Sequence, residues 1–214
     1  FKPSYTSSIA EDIMAERLIR AQAVEFLADA PMRLKSGLIS PVYVDNRKLF
    51  SHPEAWRDIV ETMASRVEEY DLEFDIVAGV EAAGSMHAAA LAYRLGLPAI
   101  MVRQKAKTYG NHSRIEGGDV KGMRVLLLED HISTGLSCLD AIRALRGEGA
   151  QVTQVMSITN YAIPETQRLF KQEGIDTYDV IAFEKVVRKA KEMGVIDDEH
   201  EKLVLEWLQT TWTW

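Results

Sequence analysis

The chain has 214 residues, 47% of them apolar and 27% charged, with a formal net charge of −7 at pH 7. A chain of that size and balance reads as a soluble globular domain that buries its core without staples, and its single cysteine, Cys138, excludes both a disulfide framework and a cysteine-rich zinc site. The acidic balance argues against general nucleic-acid binding, and no apolar run approaches the ~18 residues of a membrane span.

Phe1, not Met, opens the sequence, so upstream residues are expected. The first five residues carry no apolar core of a secretory signal, and a cytoplasmic location is the expectation. Residues 9–28 predict a helix, because Met14, Leu18, Ala21, Val24 and Leu27 recur at steps of three and four. Gly37, Pro41 and the run Val42-Tyr43-Val44 predict a turn followed by a strand. Pro53 starts a second helix that runs to about residue 70. From there short apolar strands alternate with helices. Strands are expected at 74–78, 99–102, 125–128, 152–158 and 178–182, and helices at 84–95, 136–146, 165–172, 185–192 and 198–208. Continuous apolar strands separated by helices predict an α/β fold: an open, mostly parallel sheet with helices on both faces. The whole chain is expected to form one unit: a small hood and helices over about 1–73, the core over about 74–183, and closing helices over about 184–214. Ligands of such sheets bind beyond the carboxyl ends of the strands. That places 79–85, 103–119, 129–137 and 157–161 around one crevice.

The most informative string follows Val125-Leu126-Leu127-Leu128. It delivers Glu129 and Asp130 to the end of a buried strand, passes His131 and Ile132, and turns through Ser133, Thr134 and Gly135 into a helix at Leu136 and Ser137. Free backbone N–H groups at a helix start suit a phosphate monoester. Two carboxylates repel that group and need a neutral or cationic partner, such as a sugar diol or a bound Mg²⁺. Together they describe a cradle for ribose 5-phosphate; the plainer alternative is a capped strand–loop–helix with solvated acids. Residues 103–124 hold six cations, Arg103 and Lys107 among them, against Glu116 and Asp119, and are punctuated by Gly110, Gly117 and Gly118. A basic, glycine-broken loop of this length is a poor helix or strand and fits pyrophosphate; a solvated hairpin is the alternative. Residues 79–85 have the glycine spacing of a P-loop, but Ser85 stands where Lys is required, so triphosphate hydrolysis is not supported. The five histidines show no metal spacing.

Glu129-Asp130-His131-Ile132-Ser133-Thr134-Gly135 resembles the phosphoribosyl pyrophosphate (PRPP) motif of the type I phosphoribosyltransferase family. Leu34-Lys35-Ser36-Gly37, followed by residues 40–47, is similar to the N-terminal signature of its orotate phosphoribosyltransferases, and residues 103–110 with Ile115-Glu116-Gly117 resemble their mobile catalytic loop. The resemblance spans about 34–161 in order. It implies transfer of the 5-phosphoribosyl group from PRPP to orotate, giving orotidine 5′-monophosphate and pyrophosphate. Mg²⁺ would be held mostly by PRPP and water, with no protein metal site. A homodimer that shares the 103–119 loop between subunits is implied too. Among residues, the resemblance makes Lys107, Arg103, Asp130 and Glu129 catalytic. It makes Lys35, Arg103, Lys107, Tyr109, Glu129, Asp130, His131, Ile132, Ser133, Thr134, Gly135, Leu136 and Ser137 the PRPP set. Lys35, Tyr43, Val44 and Ser133 become the orotate set, with Lys35 reaching either pyrophosphate or the orotate carboxylate. Tyr109 replaces a common His, Gln104 a Lys of some members, and Ala82-Ala83 a Tyr-Lys pair of one branch, in which an orotate-binding Arg stands near Thr159-Asn160. A purine phosphoribosyltransferase is the alternative within the class. A PRPP-sensing regulator that binds nucleic acid without turnover is the alternative outside it.

Overall fold

The structure, a computed structural model, describes residues 5–34, 36–106 and 113–210. Six strands form the central sheet: β5 (Ile76–Val80), β6 (Ala99–Val102), β7 (Ile115–Glu116), β8 (Arg124–Ile132), β9 (Gln151–Asn160) and β10 (Asp176–Ala182). Their order is β10-β9-β8-β5-β6-β7, parallel except for β7, which pairs antiparallel with β6. Leaving β5, the chain builds outward through β6. After β7 it crosses to the other side of β5 and builds outward again through β8, β9 and β10. The switch point therefore lies between β5 and β8, and their carboxyl ends flank the crevice where such sheets bind ligands.

Both sheet faces are covered, which is why the strands read as unbroken apolar runs. On one face lie α1 (Tyr5–Arg20), α2 (Pro53–Glu69), α3 (Ala83–Leu95), α6 (Phe183–Glu192) and α7 (Asp198–Thr210), packed on Leu126, Leu128, Met156 and Ile158. On the other, α4 (Leu136–Gly147) and Phe170 of α5 (Pro164–Gln172) cover Val125, Leu127 and Val155.

The N-terminal helix ends earlier than its periodicity predicts. α1 stops at Arg20, Gln22 takes a positive φ of 54°, and Val24–Phe26 forms strand β1. β1 pairs antiparallel with β4 (Val42–Val44), so the three- and four-residue spacing that ran on to Leu27 belongs to a strand facing the core. A second ribbon, β2 (Met32–Arg33) with β3 (Ile39–Ser40), lies in the same N-terminal segment. Among the long-range bonds from this segment to the body are two from aromatic side chains. Buried Tyr161 donates its hydroxyl to the Val42 carbonyl at 3.2 Å, and buried Trp207 donates its indole N–H to the Ile39 carbonyl at 3.0 Å. The rings of Tyr161 and Trp207 pack edge to face, centroids 5.0 Å apart.

Candidate active site

β8 does not end at Leu128, where its apolar run stops. It pairs with β9 through Glu129↔Ser157, His131↔Thr159 and Ile132↔Asn160, so the two acids are fixed by ladder hydrogen bonds rather than carried on a loop. Glu129 is buried, 6% exposed. Its carboxylate accepts from the Asp130 backbone N–H at 3.2 Å and from the Ser137 hydroxyl at 3.1 Å. Burial first, and then the neighbouring Asp130 charge, push the Glu129 carboxyl well above its ordinary range. Burial also raises Asp130, opposed first by its hydrogen bond with Glu129 and least by the Arg47 charge. The Asp130 carbonyl accepts from Asn46 Nδ2 at 2.7 Å, and the same nitrogen reaches Thr159 Oγ1 at 3.3 Å. Thr159 Oγ1 also bonds His131 Nδ1 at 2.9 Å. Burial holds the His131 imidazole neutral, its pKa pushed down to about 3.

Two glycines allow the close packing. A Cβ on Gly84, in the first turn of α3, would lie 2.6 Å from the Leu128 carbonyl oxygen, so only glycine brings this helix start against the base of the acid pair. Gly135 caps α4 at φ 72°, and a side chain there would meet Thr166 Cγ2 at 2.8 Å.

A cavity of about 320 Å³ opens here, lined by Val44, Asp45, Arg47, Glu81, Ala82, Ala83, Gln104, Glu129, Asp130, His131 and Ser137. The structure thus brings together Glu129, Asp130, His131, Ser137 and Val44 of the sequence-predicted set. Tyr43 lies on β4 beside Val44. Ser133 and Thr134 are half-buried in the turn before α4, Gly135 caps that helix, and Leu136 is exposed in its first turn. The Ile132 side chain is 1% exposed and packs in the core, leaving only its backbone to the turn. Arg103 follows β6, but its guanidinium pairs with Glu116 at 2.9 Å and is not in the cavity lining. Its neighbour Gln104 is in that lining, held by its N–H on Glu81 Oε2 at 3.0 Å and its side-chain amide on the Glu81 carbonyl at 3.1 Å. The Glu81–Ala82 peptide is cis. Residues 157–161, expected at the crevice, instead buttress it from behind: Thr159 and Tyr161 as described, and Ser157 turned toward Asp179. Lys35, Lys107 and Tyr109 lie outside the described residues.

Sequence reasoning missed Arg47, Asp45, Glu81 and Asn46. Arg47 holds Asp45 side-on, Nε to Oδ1 at 2.6 Å and Nη2 to Oδ2 at 3.0 Å, which keeps the Asp45 carboxyl below its usual value. The signal was there without a role attached: Asp45-Asn46-Arg47 end the 40–47 string that carries the resemblance, and Glu81 lies in the 79–85 segment expected at the crevice. Among the described residues no group of three His, Cys, Asp or Glu side chains is arranged to hold a metal ion, and no helix is long and apolar enough to cross a membrane.

Comparison with known proteins agrees with this geometry. Residues 45–193 match the model of the phosphoribosyl transferase domain family. The chain is 41% identical over 194 residues to the orotate phosphoribosyltransferase of Coxiella burnetii, covering 91% of this chain and 93% of that one. It is 34% identical over 201 residues to that of Bacillus subtilis, covering 94% and 93%. Among solved structures, the orotate phosphoribosyltransferase from Aeropyrum pernix superposes with a TM-score of 0.70 at 26% identity, covering 85% of this chain and 99% of that one. Leishmania donovani UMP synthase superposes at 0.80 with 25% identity over 92% of this chain, which spans 42% of its length. A parallel sheet with an acid pair at its switch point, matched by the family model and by these relatives, places the chain in the phosphoribosyltransferase family, with the orotate phosphoribosyltransferases.

Proposed function

We propose that this protein transfers the 5-phosphoribosyl group from PRPP to orotate, forming orotidine 5′-monophosphate and releasing pyrophosphate. The observation that carries the reading is the Glu129–Asp130 pair at the end of β8, beside the Gly135 turn into α4. Glu129 and Asp130 orient the ribose hydroxyls and favour positive charge developing at C1. Backbone N–H groups and hydroxyls of 133–137 receive the 5-phosphate at the helix start. Residues 79–85, from the end of β5 into the first turn of α3, receive pyrophosphate. Pyrophosphate leaves with the C1–O bonding pair, orotate N1 bonds to C1, and the N1 proton passes to solvent or to the departing pyrophosphate. The main catalytic task is to neutralise the leaving pyrophosphate, which falls to Lys107 with Lys35 and Arg103.

The two adjacent carboxylates, with no third ligand near them among the described residues, fit a Mg²⁺ that enters mainly on the substrate. Bound there, it supplies charge neutralisation on the diphosphate. The 103–119 loop reaches into the neighbouring subunit of a cytoplasmic homodimer. Its returning arm is anchored at home, Arg114 to Asp140 at 2.6 Å and Ser113 to Glu148 at 2.6 Å.

The deciding experiment follows orotate absorbance with PRPP and Mg²⁺, beside parallel reactions with hypoxanthine, xanthine and adenine. Depletion of orotate alone is expected. Turnover of a purine in its place, or of no base at all, would overturn the reading.

A further inference from the structure

We propose that Arg47 is the specificity-determining residue for the base, its guanidinium receiving the carboxylate that distinguishes orotate from a neutral pyrimidine. The inference rests on the orotate reading above and assigns a group to that substrate's most distinctive feature.

Four observations carry it. Among the described residues that line the cavity, Arg47 is the one permanent cation, while Asp45, Glu81, Glu129 and Asp130 line it with acids. A base bearing a carboxylate would be repelled by those walls unless a cation met it, whereas an uncharged base would not. Second, the fork is pre-oriented. Asp45 takes Nε and one Nη2 hydrogen side-on, which leaves the end-on edge, Nη1 with the second Nη2 hydrogen, for another carboxylate. The Arg47 side chain keeps 60% of its surface exposed, so the pair with Asp45 contributes little to stability and acts chiefly to aim the guanidinium. Third, Arg47 follows three residues after Val44, which lines the same cavity, so the fork and the apolar wall come from one short segment. Fourth, among the described residues, the polar side chains of β9 behind the cavity are already engaged. Thr159 is engaged by Asn46 and His131, and Asn160 Oδ1 accepts from the Ala162 N–H at 2.8 Å.

The test compares wild type with Arg47→Gln and Arg47→Lys, measuring kcat and KM for orotate and for PRPP separately, and the kcat/KM ratio of orotate to uracil. Arg47→Gln is expected to raise KM for orotate by about 10- to 100-fold, to leave KM for PRPP within about 3-fold, and to collapse the orotate-to-uracil ratio. Arg47→Lys should recover part of the loss, since it restores charge without the fork. A rise confined to KM for PRPP would make Arg47 a pyrophosphate ligand and overturn the proposal; unchanged constants would reduce it to a solvated ion pair. Should Arg47→Gln fail to fold, Asp45→Asn asks the same question: it keeps the cation but frees its aim, and a smaller rise in orotate KM is expected. No orotate turnover by wild type would overturn the underlying reaction, whereas wild-type turnover with unshifted variants overturns Arg47 alone.

Discussion

Ser157 on β9 and Asp179 on β10 sit directly opposite each other in the parallel ladder, and the serine hydroxyl donates to the aspartate carboxyl at 2.6 Å. Burial lifts that carboxyl from 3.8 to about 6, so the fold favours its protonated form. The stability it contributes is complete below pH 3.8 and fades as pH rises toward 6; beyond that its charged form is a net penalty. Asp179→Asn, which keeps a partner for Ser157, should therefore be more stable than wild type at pH 7 by about 2 kcal/mol, less than the full shift implies because the side chain retains some water. Urea unfolding from pH 4 to 8 measures this. The gap should open between pH 4 and 6 and stay level above 7.

Glu129→Gln separates stability from activity. Removing one of two adjacent buried carboxylates relieves the repulsion and desolvation that raise Glu129, so the melting temperature at pH 7.5 should rise. Turnover should fall by about 100-fold or more, because the group facing the ribose is gone. Loss of both stability and turnover would mean that the pair serves packing.

Gly84→Ala places a methyl 2.6 Å from the Leu128 carbonyl. Backbone on both sides must shift, with an expected cost of about 1–3 kcal/mol and a fall of several degrees in Tm. Because Leu128 precedes the acid pair, activity should drop further than the lost folded fraction accounts for. Calorimetry beside a specific-activity measurement separates the two.

Lys107→Ala should lower kcat by about 100-fold while PRPP affinity, read by isothermal titration, stays within a few-fold. An unchanged kcat would remove Lys107 from the chemistry.

Much of this was legible in the sequence because sheet burial writes itself as apolar runs. Val125 to Leu128 announced β8, and the acids after it announced the site. What was missed had physical causes. The Val24 and Leu27 positions kept helical spacing across a helix that ends at Arg20, since Gln22 turns the chain with a left-handed backbone that no glycine advertises. β8 runs four residues past its apolar stretch because Glu129 to Ile132 still pair with β9, and a ladder bond does not depend on side-chain polarity. Arg103, which the resemblance assigns to pyrophosphate, pairs with Glu116 on the adjacent strand, and its neighbour Gln104 lines the cavity, a placement that charge and spacing do not announce. Arg47 closed the 40–47 string that carried the resemblance, but only the three-dimensional path of the segment after β4 reveals that it lines the same cavity as Asp130.

The indole of Trp207 reaches 168 positions back along the chain to grasp the carbonyl of Ile39. The segment that runs on to Val44 and Arg47 of the cavity is thereby moored by α7, the last helix among the described residues. A protein shortened before Trp207 should lose that mooring and hold Val44 and Arg47 less firmly beside the acid pair.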